Sequence, residues 1–268
     1  MSISDVEVFY LLDRLRPIAT GLRRIPAWFL RLCAPVFAAS ISELFNRSVV
    51  AAVVPLQWKA AGITPVPKVT KPMQPSEYRP ISTTAVLSQL LERHIVKSYI
   101  YPTLHQPPPQ RLCFSDQFAF RPTGSTTAAL IALLHTVCSE LSTNSYVQGF
   151  ALDFSKAFDT VRRAMLMEKM MQLLTPDQVY NWIKDFFHGH FHCTKFAGSI
   201  SELADILACV IQGSAIGPAA YLVTAADLHP MHDTNKILKF ADDTYVIVPA
   251  TNTNTFWCPC SRSDIMPP

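Results

Sequence analysis

The chain has 268 residues, of which 49% are hydrophobic and 16% charged, a composition that provides ample material for a core and excludes general disorder. A formal charge of +3 and a pI near 8.5 are mildly basic and fit a nucleic-acid partner without requiring one. No run of about eighteen uncharged apolar residues exists, and the N-terminus lacks the layout of a signal peptide, so neither a membrane span nor a leader is predicted.

Cysteine and histidine usage favours a reducing, intracellular compartment. Seven cysteines, an odd and scattered set, do not form a disulfide framework. Three histidines alternate in one stretch and could share a strand face, a possible metal face with no obvious partner beyond Cys193: His188, His190 and His192.

The first half of the chain is predicted to be mainly helical. Residues 1–50 show apolar residues at spacings of three and four, with Pro26 near the start of one long helix, PAWFLRLCAPVFAASISELFNRSV. The proline-punctuated residues 55–82 allow short strands such as AGITPV, but no long helix. Helical periodicity returns in TAVLSQLLERHIVKSYIYPTL and again in STTAALIALLHTVCSEL, with Ser125 or a neighbouring Thr as N-cap.

The second half is predicted to alternate between strands and helices. YVQGFALDF is interpreted as a buried strand ending at Asp153, and KAFDTVRRAMLMEKMMQLL as a helix. TPDQVYNWIKDFF opens with a capping box that has proline at the first helical position. The remaining elements are the strands FHCTKF and ADILACVIQG, the helix GPAAYLVTAADLH and the hairpin KILKF-ADD-TYVIV. This order predicts an α+β fold with a mostly antiparallel sheet.

Two features of charge suggest a function. Basic residues outnumber acidic ones by four between Lys59 and Lys97, which suits a polyanion, although a solvated face would look the same. The adjacent Asp242 and Asp243 form either a solvated turn or a cation site. If the strand that ends at Asp153 neighbours that hairpin, three carboxylates converge at one end of the sheet, and Mg²⁺ or Mn²⁺ would suit them.

Six segments, in order, resemble the reverse transcriptase domain of non-LTR (LINE-type) retrotransposons. FALDFSKAFDTV resembles motif A, IQGSAIGP motif B and KFADDTYVIV motif C of that family. The finger motifs are similar to PLQWKAAGITPVPK, EYRPIS with LERHI, and QFAFRPTGSTTAAL, and the first fifty residues resemble the helical extension before the fingers. The match covers roughly residues 5–250.

The resemblance implies a right-hand polymerase fold with an antiparallel palm sheet. It divides the chain into an N-terminal helical extension (1–54), fingers (55–145), a palm with motifs A, B and C (146–250) and an irregular tail (251–268). The sequence that follows VIVPA does not look like the family, whose further palm motif and helical thumb are missing here, so the chain is interpreted as a fragment truncated after motif C.

The resemblance also implies site residues and their ligands. Asp153, Asp242 and Asp243 would be catalytic and would hold two Mg²⁺ ions, with Mn²⁺ as an alternative, and Asp243 would have the less direct role. The incoming dNTP would be contacted by Arg79, Lys68, Phe158, Gln212 and Gly213, and template or primer by Arg121 and Ser214. Phe158 would exclude a 2′ hydroxyl.

Several of these residues have simpler interpretations that remain open. Phe158 also suits a core aromatic, and Gly213 suits any loop before a helix. A surface lysine such as Lys68 needs no special explanation, and Arg121 could form a plain salt bridge. Asp159 is interpreted as structural, capping or pairing with a nearby arginine.

The function predicted by the resemblance is RNA-directed DNA polymerase, which transfers dNTPs to a primer 3′ end on an RNA template. The alternative is a catalytically silent remnant that at most binds nucleic acid. A different palm-type enzyme would fit the carboxylates but not QGSAIGP with EYRPIS. The partners expected are an RNA template, a DNA primer and dNTPs, without a membrane, and the family points to the nucleus although no localisation signal is visible.

Overall fold

The computed structural model describes residues 2–17, 21–22, 25–106, 112–154, 157–158, 160–206, 210–211, 213–230 and 232–255. The chain forms two compact units, each made of two segments. Unit 1 comprises residues 1–103 and 158–218, and unit 2 comprises residues 104–157 and 219–268. The predicted extension, finger, palm and tail boundaries remain a prediction.

Helices and short strands alternate along the described residues. The helices are α1 (Asp5–Asp13), α2 (Ala27–Leu32), α3 (Ala34–Val50), α4 (Val86–Ile95), α5 (Tyr101–Thr103), α6 (Thr126–Leu141), α7 (Arg163–Met171), α8 (Asp177–Phe186) and α9 (Gly217–Thr224). The strands are β1 (Ala60–Pro67), β2 (Tyr78–Thr83), β3 (Val147–Leu152), β4 (Phe191–Phe196), β5 (Ser199–Ile200), β6 (Ala204–Asp205), β7 (Lys236–Phe240) and β8 (Asp243–Pro249). A mixed α/β fold is thereby confirmed.

Unit 1 is built on a sheet with the strand order β2-β1-β4-β5, and β6 also pairs with β4. β1 and β2 form an antiparallel hairpin, whereas β1 and β4 run parallel, with Ala60 opposite Phe191. The helical core centres on Phe45 of α3 and on the stacked rings of Trp182 and Phe186 in α8. Burying these large aromatic side chains contributes to the stability of this unit.

Unit 2 is built on an antiparallel sheet with the strand order β3-β8-β7, against which α6 packs. Ser125 caps α6 as predicted, because its Oγ accepts a hydrogen bond from the Ala128 N–H at 3.0 Å. The predicted hairpin is also confirmed, since Phe240 pairs with Asp243. This hairpin is the part of unit 2 that carries the acidic pair.

Three helix predictions were wrong in detail. The long N-terminal helix is broken at Cys33, because Pro35 lacks an N–H and therefore lies in the first turn of a new helix, α3. α7 begins at Arg163, several residues later than predicted. The capping box before α8 is not formed: Pro176 is itself the N-cap, with φ at −57° and ψ at 141°, and it has no side-chain cap bond.

Two strand predictions also differ from the structure. β3 ends at Leu152 and is only partly buried, because it lies at an edge of its sheet with exposed positions at Gln148, Gly149 and Ala151. Among the described residues of ADILACVIQG only Ala204–Asp205 form a strand, and residues 207–209 and 212 lie outside the described part.

Two predictions drawn from composition can be compared with the structure. Among the described residues, no helix is both long and apolar enough to cross a bilayer. The cysteines in that part of the chain are free thiols: Cys33, Cys113, Cys138 and Cys193.

Candidate active site

The acidic pair lies at the turn of the β7–β8 hairpin. Because Phe240 pairs with Asp243, only Ala241 and Asp242 remain as the two turn residues. Ala241 adopts a φ of +56°, in the left-handed region that non-glycine residues seldom occupy. Asp242 is half-buried and Asp243 is exposed. The acidic pair therefore lies in a partly solvated turn, and this position is also compatible with a cation site.

The third carboxylate lies at the same end of the sheet. β3 and β8 are antiparallel with Leu152 opposite Thr244, so the next pair in register would be Asp153 and Asp243. Asp153 is exposed where β3 ends. The strand register thus brings the three predicted carboxylates, Asp153, Asp242 and Asp243, to one end of the strands of the β3-β8-β7 sheet, which we call the acidic edge.

The negative charge of the pair acts on a neighbouring buried phenol. Burial, together with the charges of Asp242 and Asp243, raises the pKa of Tyr221 to about 12. Among the described residues, no lysine or arginine forms an ion pair with Asp153, Asp242 or Asp243. In that same part of the chain, no three His, Cys, Asp or Glu side chains stand together as a ready-made metal site. Among these described residues, the three carboxylates therefore have no basic partner in an ion pair and do not form a preassembled metal site.

A loop that we call the brace loop, residues 114–121, supports this hairpin from within unit 2. Its backbone pairs with β7: the Lys239 N–H donates to the Asp116 carbonyl at 2.7 Å, and the Phe118 N–H donates to the Lys239 carbonyl at 2.8 Å. The side chain of Gln117 bonds both backbone polar groups of Ala241. Sequence reasoning missed Gln117, which stands in the mixed polar and apolar segment CFSDQFAFR and has no distinctive local signal.

A buried ion pair anchors the brace loop to β7. Lys239 Nζ lies 3.0 Å from Asp116 Oδ2 and donates to the carbonyls of Ala225 and Leu228, each at 2.9 Å. Only 1% of the lysine side chain is exposed. Burial raises the pKa of Asp116, although the ammonium of Lys239 opposes the shift. A buried lysine whose three protons are all used gives a rigid support.

Gly213 and Ser214 lie in unit 1, in the loop before α9. Gly213 has a φ of +101°, and a Cβ added there would lie 2.2 Å from the Ser82 carbonyl oxygen, so only glycine fits. Ser214 is buried, and its Oγ accepts a hydrogen bond from the Gly217 N–H at 3.0 Å. Its hydroxyl thus caps α9, and its predicted contact with template or primer remains a prediction.

Glu92 of α4 holds the same loop. Its Oε2 accepts hydrogen bonds from the backbone N–H groups of Ala215 at 2.7 Å and Ile216 at 3.3 Å, and its Oε1 accepts from Ser88 Oγ at 2.7 Å. Burial raises the pKa of this fully buried carboxyl despite these bonds. Sequence reasoning counted Glu92 only as surface charge. The signal that it missed is a glutamate on the buried face of a helix.

The other described residues of unit 1 that were predicted to contact a nucleotide are more exposed than Ser214. Arg79, on β2, is exposed. Lys68 is also exposed, and its Nζ donates to the Ser76 carbonyl at 3.0 Å. Phe158 is half-buried, and Gln212 lies outside the described residues, as does Asp159. Their roles toward a nucleotide stay predictions.

Two further predictions about charged and polar residues can be compared with the structure. In unit 2, Arg121 Nη1 donates to the carbonyl of Phe114, so the guanidinium fastens its own brace loop, and a template contact remains a prediction. In unit 1, Lys59 is buried against Asp185 at 3.0 Å and does not add to the basic surface that was predicted.

The possible metal face of alternating histidines lacks a group of three potential ligands among the described residues. Burial lowers the pKa of His190 to about 4, so this imidazole is neutral at pH 7. Its ring packs edge-on against Phe186, with 4.9 Å between centroids. His190 is therefore a core residue of unit 1.

Comparison with known proteins identifies the class to which this fold and acidic edge belong. The family described as "Reverse transcriptase (RNA-dependent DNA polymerase)" matches residues 66–256. The chain therefore belongs to the reverse transcriptase family, whose members are nucleotidyltransferases, and the predicted resemblance is confirmed.

Similar proteins come from mobile elements of Drosophila melanogaster. The chain is 31% identical over 197 residues to the probable RNA-directed DNA polymerase from transposon BS, a match that covers 70% of this chain and 21% of that protein. It is 30% identical over 216 residues to the RNA-directed DNA polymerase from mobile element jockey, covering 77% and 23% respectively. The X-element protein is 28% identical over 211 residues, again covering 77% and 23%. The chain thus spans about a quarter of the length of these relatives.

Proposed function

We propose that this chain carries the catalytic carboxylates of an RNA-directed DNA polymerase and transfers nucleotides from dNTPs to a primer 3′ end on an RNA template. The observation that carries the proposal is the strand register that brings Asp153, Asp242 and Asp243 to one edge of the β3-β8-β7 sheet. Family membership supports it, because the similar proteins are named RNA-directed DNA polymerases.

The donor chemistry of this edge fits divalent metal. Three carboxylates without basic partners among the described residues offer the hard oxygen ligands that Mg²⁺ and Mn²⁺ prefer. Asp153 and Asp242 would hold two ions, with Asp243 as the auxiliary carboxylate. Bound ions there supply Lewis-acid neutralisation of triphosphate charge. The protein's own part is to bring the three carboxylates to one end of the sheet through the pairing of β3 with β8 and of β8 with β7.

Nucleotide and template contacts complete the proposal. Arg79 and Lys68 would bind triphosphate oxygens, since a guanidinium can bind two oxygens at once. Phe158 would select deoxynucleotides, and the loop with Gln212 and Gly213 would allow close approach of the nucleotide. Arg121 and Ser214 would contact template or primer. A chain with this activity would work inside the cell, and the nucleus is the site that its family suggests.

Primer extension tests this proposal directly. The purified chain is given an RNA template, a labelled DNA primer, dNTPs and Mg²⁺, beside the double variant Asp242→Asn/Asp243→Asn. We expect the double variant to extend primer at least about a hundredfold more slowly, because metal-assisted charge neutralisation contributes several kcal/mol.

A matched control separates this effect from a general loss of negative charge. Asp233 is exposed in the same unit, so Asp233→Asn should keep parental extension. If a parental chain that is folded and bound to primer–template extends nothing, the polymerase proposal fails, and the silent nucleic-acid-binding alternative is correct.

A further inference from the structure

The side chain of Gln117 forms three hydrogen bonds to backbone groups next to the acidic edge. It is 2% exposed. Its Oε1 accepts hydrogen bonds from the Ala241 and Ala119 N–H groups, both at 3.0 Å, and its Nε2 donates to the Ala241 carbonyl at 3.2 Å. One amide therefore bonds both backbone polar groups of the residue that immediately precedes Asp242.

The residue held in this way is conformationally strained. Ala241 has a φ of +56°, a left-handed backbone conformation in which an L-residue with a side chain is sterically strained. A strained turn persists only where its surroundings fix it. The direction in which Asp242 leaves the turn depends on the backbone angles of Ala241, so whatever fixes Ala241 also fixes Asp242.

The brace loop is itself firmly anchored. The backbone of residues 116–118 exchanges two hydrogen bonds with Lys239, and the buried Lys239–Asp116 ion pair lies beneath them. Lys239 also reaches two further carbonyls, those of Ala225 and Leu228. The brace loop therefore holds the amide of Gln117 in a fixed position. If the hydrogen bonds of this amide were lost, the Ala241–Asp242 turn would change its conformation, because the loop itself stays anchored.

We propose that Gln117 is a positioning residue that fixes the Ala241–Asp242 turn, and through it the metal affinity of the acidic edge. The part of this inference that concerns metal affinity rests on the proposed function. The clamp on Ala241 can be tested independently of it. No contact between Gln117 and substrate is involved.

The test uses Gln117→Met, which keeps the length of the side chain and removes both hydrogen-bonding groups. We expect faster amide hydrogen exchange in the peptide that covers residues 240–244, because the Ala241 N–H loses its acceptor. We also expect Mn²⁺ binding, followed by electron paramagnetic resonance, to weaken about ten- to a hundredfold, as is usual when a support of a metal ligand is removed. The Mg²⁺ concentration for half-maximal primer extension should rise in parallel.

A rescue distinguishes positioning from simple stabilisation. Ala241→Gly, added to Gln117→Met, should recover much of the Mn²⁺ affinity, because glycine adopts a φ of +56° without steric cost. Gln117→Asn serves as a second variant should the methionine variant fail to fold, since its side chain stays polar but is one methylene too short to reach both groups of Ala241. Gln148, exposed on β3, provides the matched control Gln148→Met, which should change none of these quantities.

Two results would overturn the inference. One is unchanged exchange in residues 240–244 when Gln117 is replaced. The other is a loss of Mn²⁺ affinity in Gln117→Met that is fully explained by the lower free energy of unfolding of this variant. In that case adding Ala241→Gly would not restore the affinity. A parental chain that lacks primer extension would count against the proposed function alone, because hydrogen exchange and Mn²⁺ binding report on the clamp without catalysis.

Discussion

Among single residues, Gly213 is a position where both the backbone angle and the surrounding atoms require glycine. Gly213→Ala should lower the free energy of unfolding by about 1 kcal/mol for the positive φ, and by at least about 2 kcal/mol more because the new Cβ would meet the Ser82 carbonyl at 2.2 Å. Urea denaturation measures both contributions together.

Gly198 supplies the matched control for this prediction. It also has a positive φ, +81°, but nothing lies within 4 Å of an added Cβ. Gly198→Ala should therefore show only the backbone contribution. Equal losses at the two glycines would mean that the backbone around residue 213 moves away from Ser82 at no cost.

The residues that sequence could and could not reveal differ in a physical way. Asp153, Asp242, Asp243 and Gly213 stand in short local patterns, so the sequence alone could single them out as candidate site residues. Gln117 and Glu92 instead act on backbone groups more than 120 residues away, Ala241 and Ala215 respectively. Such partners are created only by the tertiary fold, and no local pattern indicates them.

Among the secondary-structure elements, α4 is linked by hydrogen bonds of Glu92 to Ala215 and Ile216, the two residues immediately before α9. Replacing Glu92 with Gln keeps an acceptor for the Ala215 and Ile216 N–H groups, whereas Ala leaves both without one. The Ala variant should therefore be less stable than the Gln variant by at least about 2 kcal/mol, measured by urea unfolding at one pH. A smaller difference would show that water reaches these N–H groups.

The difference in stability between the parental chain and Glu92→Gln should depend on pH, and the sign of this dependence follows from the pKa of Glu92. Because burial raises the pKa of Glu92 in the folded chain, the folded state binds the proton more tightly than the unfolded state. The contribution of Glu92 to stability is thus fully present below its unfolded pKa, near 4.5, and is lost as pH rises through the raised folded value. Parental stability relative to Glu92→Gln should fall with rising pH above about 4.5. A flat difference would contradict this.

Helix positions were predicted better than helix ends and strand burial. The 3.6-residue periodicity found the helical stretches, but the break at Cys33 and the N-cap at Pro176 depend on where proline stops the backbone hydrogen bonds. β3 was expected to be buried because its residues are apolar. It is partly exposed because its place at the sheet edge is set by strand pairing, not by composition.

At the scale of the whole molecule, the positive charge available to nucleic acid is smaller than the composition indicates. Lys59 and Lys239 are buried in ion pairs, so exposed residues such as Lys68 and Lys71 must supply it. The double variant Lys68→Gln/Lys71→Gln should weaken primer–template binding and reduce the slope of log K against log salt by about 0.7–0.9 per lost phosphate contact. Fluorescence anisotropy across a salt series measures this slope.

A control for the charge effect is available in unit 1. Arg47 is exposed, but Glu43 lies 2.6 Å from its Nε and offsets its charge. Arg47→Gln should therefore leave the slope unchanged. If the lysine double variant also keeps the parental slope, these lysines do not contact phosphate.

The pairing of strands far apart in the chain sets the order in which a newly made chain can fold. β1 cannot acquire its parallel partner β4 until about 130 further residues have been synthesised, which takes roughly 7–26 s at about 5–20 residues per second. During that interval the hairpin of β1 and β2 has a free edge on the ribosome. β3 waits likewise for β8, so the acidic edge is assembled only after β8 has been synthesised.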